Sequence, residues 1–202
     1  MKNFLKMRWP WLLAGGFVLV AVVVLLLVRC SGPAVEVPTL IVETPQKLSM
    51  ATTQEVVLDV TISQLGESRY PAMSMSIAFD ASRLEFLGLE EGNVFVYDEN
   101  NSTGQQLPQW SCNVENSNRT GLINMMYLDM TGGRRAFAQE LLAETDNVVV
   151  RLKFRLKGSV RVGDVLELGM EDAVFAASDE SQSLAMSTGT LKTRNSRLVI
   201  GE

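Results

Sequence analysis

The side chains that most often do chemistry are scarce in this chain. No histidine occurs among its 202 residues. That removes the commonest general base, any Ser-His-Asp or Cys-His arrangement, and the usual zinc ligand. The two cysteines, Cys30 and Cys112, are too few for a disulfide framework or a cysteine-rich metal site, and both are expected to be unpaired. The carboxylate pairs Glu90/Glu91 and Asp179/Glu180 could be read as the acid and base of a glycosidase. Adjacent strand residues point to opposite faces, however, and both pairs fall in expected loops. From Asp98, the side chains of Asn100 and Ser102 keep the spacing of a calcium loop, but Thr103 stands where its glycine is needed and Gln109 where its closing glutamate is needed. The residues thus predict no catalytic group, no metal site and no cofactor: a binding protein, not an enzyme. Asn101-Ser-Thr and Asn118-Arg-Thr match a glycosylation pattern that short motifs meet by chance.

Charge is unevenly spread. Lys2, Lys6, Arg8 and Arg29 precede residue 31 without an acid among them, and the remainder carries 14 basic against 23 acidic residues. A remainder this acidic is a poor partner for a phosphate backbone, and nucleic acid is not expected. Trp11 to Val28 is a run of 18 residues with no charge, about 27 Å long as a helix and close to the hydrocarbon thickness of a bilayer. Trp9 and Trp11 suit the headgroup interface, and the flanking cations suit the cytoplasmic side. The expected organisation is a cytoplasmic stub (1–10), a single-pass anchor in a bacterial cell membrane (11–29), a linker (30–38) and an extracytoplasmic domain (39–202). Two other readings stay open. A cleaved signal peptide lacks a good site after Val28. A lipoprotein signal ending at Cys30 would have Arg29 where a small residue belongs.

The elements that would position any site beyond residue 38 are strands. Val56, Leu58, Val60 and Ile62 alternate with Glu55, Val57, Asp59 and Thr61; Met73, Met75, Ile77 and Phe79 alternate with Ser74, Ser76 and Ala78. Asp80-Ala-Ser reads as a turn into Leu84–Leu89. Val148 to Lys157 alternates most clearly, its Arg151, Lys153, Arg155 and Lys157 forming a solvated, aggregation-resistant face. Further strands are expected over Leu40–Glu43, Val94–Tyr97, Gln109–Val114, Leu122–Leu128, Val165–Leu168, Ala173–Ala176 and Thr190–Ile200. A polar loop is expected at Asp98–Gln106, a turn at Asn116–Gly121 and one short helix at Arg135–Glu144. The pattern is all-β: a two-sheet antiparallel sandwich, of jelly-roll-like or immunoglobulin-like topology.

Three stretches, in order, carry a family likeness. They are Phe79-Asp80 with Leu84 and Gly92; Gly121-Leu-Ile-Asn-Met-Met-Tyr-Leu-Asp-Met-Thr-Gly-Gly133; and Val148-Val-Val-Arg-Leu-Lys-Phe-Arg-Leu-Lys-Gly158. With the closing Ala173-Val-Phe-Ala-Ala and Gly189-Thr-Leu, residues 38–201 resemble the cohesins, modules that bind dockerin modules. The resemblance implies a docking face on one sheet, made by the family's third, fifth, sixth and eighth strands. Carried to this chain, its outward residues would be Ala72, Ser74, Ser76 and Ala78 on one strand and Met126, Leu128 and Asp129 on another, with Thr131 and Gly132 on the loop beyond. Ile123, Met125 and Tyr127 would point inward. Many members place Asn or Asp where Ala72 and Ser74 stand, which leaves the partner class open. The implied partner is a dockerin-like module, calcium-bearing in that family. Two other functions remain in play. One is carbohydrate binding, for which Trp110, Tyr70 and Tyr97 are the available aromatics; the other is a structural role in an envelope complex.

Overall fold

Alternating apolar and polar residues become strands wherever one face can be buried, and here two sheets bury theirs against each other. The computed structural model describes residues 36–49, 55–92, 110–129, 136–142 and 146–202. The expected anchor at 11–29, Cys30, the Val94–Tyr97 strand and the Asp98–Gln106 loop lie outside these. Among the described residues no helix is long and apolar enough to cross a membrane.

In chain order the strands are β1 (Thr39–Val42), β2 (Leu48–Ser49), β3 (Glu55–Ile62), β4 (Ala72–Phe79), β5 (Leu84–Glu91), β6 (Trp110–Cys112), β7 (Leu122–Leu128), β8 (Val148–Leu156), β9 (Val165–Ala176), β10 (Leu184–Ala185), β11 (Lys192–Arg194) and β12 (Ser196–Gly201). One sheet runs β11-β1-β3-β8-β5, the other β2-β12-β9-β4-β7-β6, with β10 beside β9. The expected antiparallel sandwich is therefore present, with two exceptions at its ends: β1 pairs with β11, and β2 with β12, in parallel. Between the sheets, Phe79, Phe86 and Phe154 cluster with ring centroids 5.3–6.4 Å apart. Tyr127, Phe137 and Phe175 form a second cluster toward the opposite end of β4, with Phe137 5.1 Å from Tyr127 and 5.8 Å from Phe175.

Several expected elements are redrawn. Asn116–Gly121, expected as a turn, belongs to helix α1 (Val114–Thr120). Its caps explain why. The Asn113 side chain accepts from the Asn116 N–H at 2.9 Å, and Gly121, at φ 72°, donates its N–H to Ser117 O at 2.8 Å in the left-handed conformation that ends helices. The helix expected over Arg135–Glu144 is a single turn within the described residues, α2 (Gln139–Leu142). Val165–Leu168 and Ala173–Ala176 are one strand, because Glu171 forms a bulge between the pairs Ser76–Asp172 and Ile77–Met170. The extra residue flips the alternation from Leu166, Leu168 and Met170 inward to Ala173 and Phe175 inward, so one strand reads as two. Thr190–Ile200 is interrupted at Asn195, whose side chain accepts from the Met170 N–H at 3.2 Å. Glu90 lies in β5, not in a loop.

Helix α1 also closes an edge. On β5, the Phe86 N–H donates to Asn118 Oδ1 at 2.8 Å, while Asn118 Nδ2 donates to Phe86 O at 2.7 Å and to Val114 O at 3.1 Å. One side-chain amide thus stands where a neighbouring strand's peptide group would stand, and a free edge is the feature through which sheets recruit other chains.

Candidate docking face

The two outer faces of the sandwich differ in chemistry. On the sheet containing β3, β8 and β5, the cations expected to be solvated are paired. Glu55 takes Arg155 at 2.9 Å and Lys153 at 3.3 Å. Arg155 also reaches Glu85 at 3.3 Å, Lys153 reaches Glu90 at 3.5 Å, and Arg151 meets Asp59 at 3.0 Å. The hydrogen bonds from Arg155 and Lys153 hold the Glu55 carboxyl below the usual carboxylate range. Solvent-facing pairs of this kind add little stability. They keep the face polar and each charge next to its opposite. Glu90, once a candidate acid or base, is bound into this lattice, and Asp179 accepts from the N–H and hydroxyl of Ser181 at the start of a 3-10 turn.

The face built by β6, β7, β4 and β9 is neutral at its centre. Register sets its rows. Ser111, Met126, Ser74 and Val174 lie side by side across the four strands. Leu128, Ala72 and Ala176 form the row on one side, and Asn124, Ser76 and Asp172 the row on the other. In the last, the Ser76 hydroxyl donates to Asn124 Oδ1 at 2.7 Å. Of these three rows, Asp172 alone is charged. Met126 and Leu128 are each 52% exposed, while their strand neighbours Ile123, Met125 and Tyr127 are buried. Single exposed apolar residues are ordinary on a protein surface; Met126 and Leu128 stand out because they are neighbours on the same face of one strand. Between Ser74, Ser76, Ser111, Cys112, Asn124 and Met126 the surface dips into a shallow, open depression of about 400 Å³.

The structure therefore brings Ala72, Ser74, Ser76, Met126 and Leu128 onto one surface, with Ala78 further along β4. Asp129 follows directly at the end of β7, its N–H donating to Pro71 O at 2.7 Å. Thr131 and Gly132 lie outside the described residues. Sequence reasoning missed Ser111, Asn124, Val174, Ala176 and Asp172. Asn124 was within reach, since it shares the alternation of Met126 and Leu128. Val174, Ala176 and Asp172 were hidden by the Glu171 bulge. Cys112 makes no disulfide among the described residues, and partial burial pushes its thiol pKa up.

Two of the three aromatics named for a sugar platform pack inward. Tyr70 is fully buried, with its hydroxyl accepting from the Gly66 N–H at 3.0 Å. Trp110 packs against Tyr127 and Phe137, at 5.9 and 6.2 Å. Tyr97 lies outside the described residues.

No protein-family model matches the chain, and no curated protein does. Solved structures do. A Clostridium thermocellum cohesin, OlpC, in complex with the dockerin Doc435, aligns with a TM-score of 0.59 at 14% identity, over 85% of this chain and 97% of that one. The sixth cohesin of scaffoldin B from Acetivibrio cellulolyticus, in complex with the Cel5 dockerin, aligns at 0.57 and 18% identity, over 82% and 99%. The cohesin module of a family 33 glycoside hydrolase from Clostridium perfringens aligns at 0.55 and 11%, over 82% and 98%. At these identities the likeness is one of fold, and the fold is that of cohesin modules.

Proposed function

We propose that this chain is a docking module that captures a dockerin-type protein module on the β6-β7-β4-β9 face. The observation that carries the reading is the contrast between the two sheets: one outer face is laced with ion pairs, the other holds half-exposed Met126 and Leu128 among small and hydroxyl side chains. An apolar centre with a polar surround is how a specific protein interface is built. The partner class is taken from the fold's solved relatives; two of the three named above hold a dockerin. Ala72, Ser74, Ser76, Met126, Leu128 and Asp129 supply the contacts, with Thr131 and Gly132 at the edge. The role is binding without catalysis.

The reading extends to residues beyond the described set. Trp11–Val28 anchors the chain in a bacterial cell membrane, so the module stands on the extracytoplasmic side and tethers its partner there. Protease added to intact cells should then remove the module and leave the anchor; a module protected in intact cells would refute this placement.

Residues 37–202 form one unit with its own core, so capture is testable with that segment. Three forms are immobilised and exposed to extract of the source organism: unchanged, Leu128→Asp, and Val57→Asp. Val57 is 45% exposed on the opposite sheet and serves as the matched control. The expected result is recovery of a protein bearing a small calcium-binding module, lost in EDTA and lost on Leu128→Asp but kept on Val57→Asp. Equal capture by all three forms, or loss only with Val57→Asp, would overturn the assignment of the face.

A further inference from the structure

We infer that Met126 is an oxidation-sensitive residue, and that conversion of its thioether to the sulfoxide by a peroxide releases the partner; this rests on the docking face proposed above. The chain holds ten methionines. Among the described residues, Met73, Met75, Met125 and Met170 are sealed in the core at 1–4% exposure, whereas Met126 is 52% exposed. Register puts it between Ser111 and Ser74, in the middle of the neutral face. The second exposed methionine among them, Met186, follows β10, with β9 and β4 between it and Met126, and its sulfur is 3.8 Å from the Thr193 hydroxyl.

Exposure decides which thioethers an aqueous oxidant reaches, and position decides the consequence for binding. The step balances with a hydroperoxide as the named oxidant. The sulfur of Met126 attacks the peroxide, an S–O bond forms and the O–O bond breaks; the sulfur loses two electrons, and the peroxide is reduced to water or an alcohol. The product carries a strong acceptor oxygen on what was an apolar side chain. In the free module water satisfies that oxygen. In a docked complex it would be desolvated at the apolar centre. Of the two hydroxyls that flank Met126 in its row, Ser111 already donates to the Met126 carbonyl at 3.1 Å, and Ser74 is among the contacts assigned to the partner. Burying an acceptor without a donor opposes association. Partial burial pushes the Cys112 thiol pKa up, which disfavours the reactive thiolate.

The test treats the 37–202 module with hydrogen peroxide in graded amounts. Fragment-ion mass spectrometry then assigns each added oxygen among Met125, Met126 and Met130. The treated module is assayed for the protein it captures in a Leu128-dependent manner. Oxygen should enter Met126 well before Met73, Met75, Met125 or Met170, and capture should weaken about tenfold or more in step with it. Met126→Leu, close in volume, is compared with its own untreated capture, whatever its level, and should lose none of it under the same treatment; Met186→Leu should remain as sensitive as the unchanged module. Methionine sulfoxide reductase should restore capture. Formation of the Met126 sulfoxide with capture intact, or equal sensitivity in Met126→Leu, overturns the inference while the docking face stands. Capture indifferent to Leu128→Asp overturns the docking face and this inference together.

Discussion

Replacing Asn118 with alanine removes all three hydrogen bonds that its amide makes to Phe86 and Val114. Each contributes about 0.5–1.5 kcal/mol net, and an orphaned buried group costs more than a lost exposed one. Phe86 is fully buried, so water does not replace the amide at its backbone. Alanine is the better helix former and returns about 0.5 kcal/mol in α1. The expected net loss is about 2–4 kcal/mol, which for a domain of this size lowers Tm by about 5–15 °C. Urea unfolding of residues 37–202, followed by the fluorescence of Trp110, should show a lower midpoint with an unchanged slope. Asn118→Asp sharpens the test. A carboxylate there keeps an acceptor for the Phe86 N–H but faces the Phe86 carbonyl with a second negative oxygen. The folded state therefore raises that group's pKa above its unfolded value of about 3.9. The variant's deficit against the unchanged module should shrink as pH falls from 7 toward 4, because the neutral acid again offers one donor and one acceptor. An alanine variant within about 0.5 kcal/mol of the unchanged module, a surface-like value, would refute the edge-closing role.

The same geometry predicts other outcomes. The Glu55 carboxyl should titrate below its usual 4.5, and 1 M salt should move it back up, since the cations beside it face solvent; its contribution is present above the unfolded pKa and is lost as pH falls through the folded one. Ser82→Ala should raise the Asp80 midpoint seen by carboxyl NMR, because the Ser82 hydroxyl, at 2.5 Å, is the chief reason that this pKa is low. Gly121→Ala should destabilise the module by about 1–2 kcal/mol, for the helix ends there with φ 72° and an added Cβ would sit 2.9 Å from Phe79 O.

The legible parts of the sequence were those that obeyed one period without interruption. β3, β4 and β7 alternate cleanly, as does β8 from Val150 onward, past the residue inserted at Val149, so their faces, and with them Ser74, Ser76, Met126 and Leu128, could be assigned from residue order. The illegible parts involved a phase change or a partner far along the chain. Glu171 and Leu87 each insert one residue and turn inward positions outward, which no fixed-period reading detects. The two-residue strands β2 and β10 have no pattern of their own and exist because β12 and β9 offer them hydrogen bonds. The polar run at Asn116–Gly121 looked like a turn because Asn and Ser suit turns and caps alike; its helix depends on Asn118 finding Phe86, 32 residues earlier.

The parallel pairings at the chain's ends bear on when this module can fold. Thr39–Ile41 lies along Lys192–Arg194, and Leu48–Ser49 along Ile200–Gly201, each about 150 residues away in sequence. The buried Ser196 hydroxyl adds a bond to Val42 O across the same gap. During synthesis β1 and β2 emerge first, but their partners follow only about 150 residues later. β1 can pair with β3 on one edge and β2 has no neighbour yet, until β11 and β12 have emerged. The sandwich closes only then, and a chain truncated before β11 would leave both early strands exposed to the nearest foreign edge.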